Sequence, residues 1–360
     1  MSERIEAHIN NDMLVWVREE AGYIREKAAK KLNVSTERLT NWEEGELHLT
    51  IKQLKRISKL YKRAMAAFYL HEKPEGFEPI HDYRRFPGEQ LGEDFVALKL
   101  EIRKAYEKRE IGIDLYSNFE DVPPSVDLKF NLRHNSEVIA ERVRTALGID
   151  LNAQRRWKKS LGVFNQWRDL IESHGIFVFQ TSGVALSIMR GFSIAEHPHP
   201  VIVINNKDSE RGKVFTLLHE LTHIMLSKAG LCNDIFIDSD RPPEEQRIEV
   251  FCNHVSGAIL VPSRDLLSEP LVQEKRGKIR WTNEELQILT SIFKGASREA
   301  ILRRLLLAKR TTKTFYEEMR KKFQEEYDER GKPSYIVPWY RRYLNRDGQL
   351  FTQLVIGSNR

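Results

Sequence analysis

The chain has 360 residues, of which 41% are apolar and 31% charged, and its net charge is +6. That is room for two or three domains with cores of their own, in a soluble globular composition. No stretch approaches the ~20 consecutive apolar residues of a membrane span, and MSERIEAHINND lacks the apolar run of a signal peptide.

Residues 10–70 read as a string of short helices. One runs from Arg25 to Leu32, AsnVal at 33–34 makes a turn, and Ser35 caps STERLTNWEEG, which stops at Gly45. Leu32, Val34, Leu39 and Trp42 have the spacing of a small packed core, continued by Leu54, Ile57 and Tyr61 on a later helix. This module is assigned to 8–72, and the Pro- and Gly-punctuated segment 73–92 to a linker. Helical patterns at about 93–117, 135–148 and 160–173, with DVPPS breaking the chain at 121–125, make 93–174 a helical connector.

The texture then changes. GIFVFQTSG (175–183) and HPVIVINN (199–206) are short β-rich runs bounded by turn residues. Val201, Ile202, Val203 and Ile204 form a continuous apolar run that fits a strand buried on both faces. LLHELTHIML (217–226) and PPEEQRIEVFCNHVSGAIL (242–260) read as helices, the second with proline at its start and acids in its first turn. These elements define a core at 175–270. Residues 278–345 are helical and basic, with 17 Lys and Arg against 9 Asp and Glu over 278–346. Within them KGASREAILRRLL carries Ser297 as a cap. Residues 346–360, with AspGly at 347–348 as a turn, read as a short C-terminal strand segment. The two cysteines, Cys232 and Cys252, have no metal-knuckle or CxxC spacing and read as buried thiols in a reduced, cytoplasmic protein.

His219 and His223 are four residues apart, so both imidazoles leave one face of a helix, with Glu220 one step round. This HExxH pattern offers two metal ligands and a general base in one turn. A catalytic zinc site needs a third protein ligand. Glu249 stands 26 residues after His223, and Asn253 lies on the same helix face, four residues on, placed to orient a ligand. His254 is the rival by residue type but points about 100° away from Glu249. Glu244 and Glu245 suit the helix dipole.

FTLLHELTHIML followed by EVFCNHVSGAILVP closely resembles the ImmA/IrrE family of zinc metallopeptidases, and MRGFSIAEHPHPVIVINNKDSERGKVFTLLHE resembles the strand-to-helix approach of that family. VSTERLTNWEEGELHLTIKQLKRISKLYKRAMAAFYL resembles the helix-turn-helix of the XRE type that is commonly fused to it, and HDYRRFP the segment that joins the two. KGASREAILRRLL resembles the helix-turn-helix-like part that follows the peptidase core. The resemblance implies that His219, His223 and Glu249 bind zinc, gluzincin-like, and that Glu220 is the base. Two histidines and one glutamate also accept manganese or another divalent ion. An extended substrate would lie against Val201–Ile204 by β-augmentation. Arg190 and His254 are candidates for stabilising the oxyanion.

The third helix of an XRE-type module enters the major groove. Its exposed residues are Ser35, Thr36, Glu37, Arg38, Thr40 and Asn41; all but Glu37 suit contacts with bases or phosphates, and Arg25 suits a phosphate. Residues 1–75 hold 14 Lys and Arg against 12 Asp and Glu, a thin footprint for a tight DNA binder.

The expected architecture is therefore multidomain: an all-α helix-turn-helix module, an α+β zincin-like metallopeptidase core and a helical C-terminal extension. The expected function is a zinc endopeptidase of narrow specificity that cleaves a protein substrate, a transcriptional repressor by the resemblance, in a stress, phage or toxin–antitoxin circuit. The competing reading is a DNA-binding regulator whose peptidase-like core senses or scaffolds.

Overall fold

A computed structural model of the protein describes residues 5–73, 93–117, 128–157, 162–227, 230–232, 243–275, 279–329 and 339–357. Most of the linker, with HDYRRFP, the DVPPS break and the side chain of Cys232 lie outside the described residues. The chain forms two compact units, Met1–Tyr106 and Glu107–Arg360. No helix among the described residues is long and apolar enough to cross a membrane.

The first unit opens with β1 (Glu6–Ala7), then α1 (Asn11–Glu20), α2 (Arg25–Leu32) and α3 (Thr36–Glu44). After β2 (Leu49–Thr50), antiparallel to β1, comes α4 (Ile51–Tyr61). Asn33 ends α2 in the left-handed region at φ 56°, and Gly45 ends α3 at φ 81°. Ser35 caps α3 by accepting from the Arg38 amide, and Thr50 with Gln53 forms a capping box on α4. Leu14, Val17, Ala28, Leu39, Trp42, Leu54, Ile57 and Tyr61 share one core, with Val34 packed at its margin. At its heart the Glu43 carboxylate accepts from Arg18 Nε at 2.6 Å and from Arg25 Nε at 2.9 Å.

α5 (Glu93–Ser117) spans the division between the units. The second unit continues with α6 (Ser136–Ala146), α7 (Leu151–Arg156) and α8 (Val163–Glu172), then β3 (Phe177–Thr181), β4 (Gly191–Ile194) and β5 (Val201–Asn205). α9 (Glu210–Met225), β6 (Gly230–Cys232) and α10 (Pro243–Leu260) follow, with α11 (Ser263–Ser268) and α12 (Pro270–Glu274) behind them. The extension is helical: α13 (Asn283–Ile292), α14 (Arg298–Leu307), α15 (Lys313–Glu329), α16 (Trp339–Asp347) and α17 (Gln349–Gly357).

The described strands of the second unit form one sheet in the order β3-β5-β4-β6. β3 and β5 are parallel, and β4 runs antiparallel to both β5 and β6. Val178, Ile202 and Ile204 on one face pack into a core with Trp167 of α8, Leu217 and Leu221 of α9 and Val255 of α10. On the other face Phe177 meets Gly112 of α5, where an added Cβ would stand 2.5 Å from the ring, and Phe177 and Phe179 meet Phe351 of α17.

Two expectations are corrected here. Val201–Ile204 is fully buried as expected, but β5 is hydrogen-bonded to β3 on one side and β4 on the other, so it offers no edge to a substrate. The end strands are β3 and β6. Residues 349–357, expected as strand, form α17: Gly348 at φ 77° turns the chain out of α16, and Glu172, distant in sequence, accepts from the amides of Gln349 and Leu350 at the new helix start.

The last carbonyls of α10 and its exit are held by side chains from three other helices. Arg144 donates to Ile259 O at 2.8 Å, Gln154 to Leu260 O at 3.1 Å and Arg304 to Val261 O at 2.8 Å. Helix C-termini leave carbonyls unpaired and favour cations, so these three buried groups fix the helix that carries Glu249.

Candidate metal centre

α9 is buried almost all round, because residues on every face of its second half are apolar or belong to the site. His219 and His223 leave the same face, one turn apart, and point at α10, which presents Glu249. Their mutual distances are 3.1 Å between the two Nε2 atoms, 3.2 Å from His219 Nε2 to Glu249 Oε2 and 3.4 Å from His223 Nε2 to Glu249 Oε1. Ligand atoms held by a tetrahedral zinc ion at ~2.0–2.1 Å stand about 3.3 Å from one another. All three residues are buried.

The tautomers support the same assignment. His219 Nδ1 lies 3.1 Å from Asn253 Oδ1, an acceptor, so Nδ1 carries the proton and Nε2 presents a lone pair. That lone pair faces a carboxylate oxygen at 3.2 Å. Two acceptors at this separation repel unless a positive charge lies between them, which a cation bound by the three groups supplies. The buried thiol of Cys252 neighbours the His223 ring, whose Nδ1 makes no well-formed hydrogen bond. The donor set therefore fits a divalent metal ion.

Glu220 is fully buried beside this trio. Burial pushes its carboxyl above the ordinary range, against the pull of His223 and His219. Ser193 of β4 donates its hydroxyl to Glu220 Oε2 at 2.8 Å, while Oε1 has no partner among the described residues. Sequence reasoning missed Ser193. Its signal was available: GFSI places two small residues, Gly191 and Ser193, on one face of an otherwise apolar strand.

Of the other candidates, Asn253 stands beside His219 as expected. His254 faces Arg303 and Arg304 of α14 and Glu137 of α6, away from Glu249. Arg190 donates to Asp208 at 2.9 Å, just before the start of α9 and three helix turns from His219. In the first unit Ser35, Thr36 and Arg38 are exposed and Thr40 and Asn41 half-buried along α3, with the Arg38 guanidinium over the Trp42 ring at 5.6 Å. Arg25, expected to face a phosphate, is turned to Glu43. Much of the positive charge of the extension is matched within it: Arg298 pairs with Glu326, Arg320 with Glu299 and Lys322 with Glu318.

Comparison with known families agrees with this geometry. Residues 171–305 match the peptidase M78 model described as the IrrE N-terminal-like domain, and residues 14–68 match a model described as helix-turn-helix. Comparison with curated proteins and with solved structures gives no significant match. The first match spans β3 to α14, including all three metal-site residues, and the second spans α1 to α4. The chain thus carries an IrrE N-terminal-like domain of the peptidase M78 type at 171–305 and a helix-turn-helix domain at 14–68.

Proposed function

We propose that the chain is a zinc-dependent endopeptidase of narrow specificity that regulates transcription by cutting a repressor protein. The observation that carries this reading is the buried trio His219, His223 and Glu249 with Glu220 Oε1, which has no partner among the described residues, beside it. A zinc ion at the trio supplies Lewis acidity, polarising a carbonyl and acidifying water. Glu220 takes the proton of the attacking water on Oε1 and delivers it to the leaving amine. Burial of the whole site strengthens each of these electrostatic effects. A general base that sits in the fold's interior suits a peptidase with restricted access. The fused helix-turn-helix domain points to a substrate within transcriptional control.

The test begins with metal content, by elemental analysis of the wild type beside His223→Ala and Glu220→Gln. About one zinc per chain is expected in the wild type. His223→Ala should lose it. Glu220→Gln should keep it and lose about a hundredfold or more of its cleavage activity. No metal in the wild type after supply of zinc, or full activity in Glu220→Gln, would sink the reading. Manganese in place of zinc would keep the enzyme and change only the ion.

The exposed polar face of α3 supports a second role beside the first, in which Thr36, Arg38, Thr40 and Asn41 contact DNA. Arg38→Ala should weaken binding to a duplex carrying the operator and flatten its dependence on salt. Unchanged affinity and slope would remove α3 as the reader.

A further inference from the structure

β4 and α9 run side by side in the same direction, and they meet at two successive rungs. At the first, Gly191 lies against Thr216: a Cβ at 191 would stand 2.6 Å from Thr216 Cγ2 and 3.0 Å from the carbonyl of Val203. At the second, Ser193 lies against Glu220, joined by the hydrogen bond of 2.8 Å. Two residues along a strand advance ~6.7 Å and four along a helix ~6 Å, so the pairs stay in step. The missing side chain at Gly191 brings the strand close enough for a residue as short as serine to reach the helix. Ser193 is itself fixed in mid-sheet, opposite Ile202 of β5 and Gly230 of β6, and is fully buried.

This placement decides what each oxygen of Glu220 can do. Oε2 is occupied by the Ser193 hydroxyl, and Oε1 is left with no partner among the described residues. A carboxylate with one oxygen tied to a rigid sheet cannot rotate freely about its last bond. Without a donor at 193 the buried Oε2 would lose its only hydrogen bond among the described residues, at a cost that favours turning the group elsewhere.

We propose that Ser193 is the positioning residue of the general base: its hydroxyl holds Glu220 Oε2 so that Oε1 is presented to the substrate side of the metal trio. This inference rests on the reading of Glu220 as the base. The side-chain hydrogen bond of Ser193 goes to Glu220, so it acts through that group.

The experiment is a double-mutant cycle on the zinc-loaded full-length protein, read as affinity for acetohydroxamate, a metal-binding probe whose acidic proton the base accepts. Ser193→Ala should keep zinc stoichiometry but lose about ten- to a hundredfold in affinity, the worth of a hydrogen bond to a charged group. Glu220→Gln should lose at least as much, and the double variant no more than Glu220→Gln alone, since the serine has nothing left to position. Ser193→Cys, close in volume but a weaker donor, should fall between wild type and alanine. If Ser193→Ala disturbs zinc binding, the cysteine variant carries the test by itself. Wild-type affinity in Ser193→Ala or Ser193→Cys, or additive losses in the double variant, would overturn the proposal. Wild-type affinity in Glu220→Gln would instead show that Glu220 is not the base, and the proposal would fall for that separate reason.

Discussion

Asn253 Oδ1 accepts a hydrogen bond from His219 Nδ1 at 3.1 Å, and Asn253 and Glu249 lie one turn apart on α10. One helix therefore supplies both a candidate metal ligand, Glu249, and the group that orients another, His219. Asn253→Ala should weaken zinc binding about 10- to 100-fold, measured by competition with a chromogenic chelator. Asn253→Asp keeps an acceptor at the same place and should retain the affinity. Equal affinity in the alanine variant would mean that the ring is set by packing alone.

The parts of this site that share a helix were legible in the sequence. His219, Glu220 and His223 are fixed by helix periodicity, as are Glu249 and Asn253, and capping residues such as Ser35 and Ser297 announce their helices locally. What could not be read is what crosses between elements. The apolar run Val201–Ile204 showed burial on both faces but not which neighbours flank it, because strand order is a property of the whole sheet. LeuValIle at 354–356 looked like strand because the partner that makes it helix, Glu172, lies 177 residues before Gln349. Ser193 escaped for the same reason: its meaning appears only when β4 is laid against α9.

In the helix-turn-helix unit Glu43 is the sole buried acid among the described residues, and it lies between buried Arg18 and partly exposed Arg25. Glu43→Ala would leave the buried Arg18 guanidinium without its buried counter-charge, with only the exposed Glu19 carboxylate still paired to it. The expected loss is about 3–5 kcal/mol, enough to melt a small domain. Urea titration of the full chain should show an early transition in this unit, while zinc stoichiometry stays unchanged. A single unshifted transition would contradict the assignment of Glu43 as the keystone of this unit.

Arg304 links the extension to the helix that carries Glu249. Its Nε donates to Val261 O at 2.8 Å and its Nη2 to Ser263 Oγ at 2.7 Å, and Glu137 of α6 completes the cluster. Arg304→Met preserves most of the apolar volume but removes all three bonds. We expect a loss of about 2–4 kcal/mol in the second unit, seen as a lower thermal midpoint. Zinc should also dissociate faster, because the C-terminal end of α10 is no longer held. A normal midpoint with normal zinc retention would show the cluster to be incidental.

Glu172 makes the stability of the second unit depend on pH. Its Oε2 accepts from the amides of Gln349 and Leu350, Arg168 Nε lies 4.0 Å away, and Asp169 and Tyr116 are the other titratable neighbours. Burial dominates these groups and pushes the carboxyl from 4.5 up to about 7. A folded-state value above the unfolded one means that the folded protein holds a proton which the unfolded chain has released. The stabilisation is complete below about pH 4.5 and is lost as pH rises through about 7, after which stability no longer changes on account of this group. Glu172→Gln removes the titration while keeping an acceptor for the two amides. Relative to that variant, the wild type should lose up to about 3 kcal/mol between about pH 5 and pH 8, measured by urea unfolding at both values. A gap that stays constant across this range would mean that the amides of α17 and Arg168 overcome burial and keep Glu172 ionised throughout. In that case the start of α17 would be held by a full negative charge, and Glu172→Gln would cost stability at both pH values.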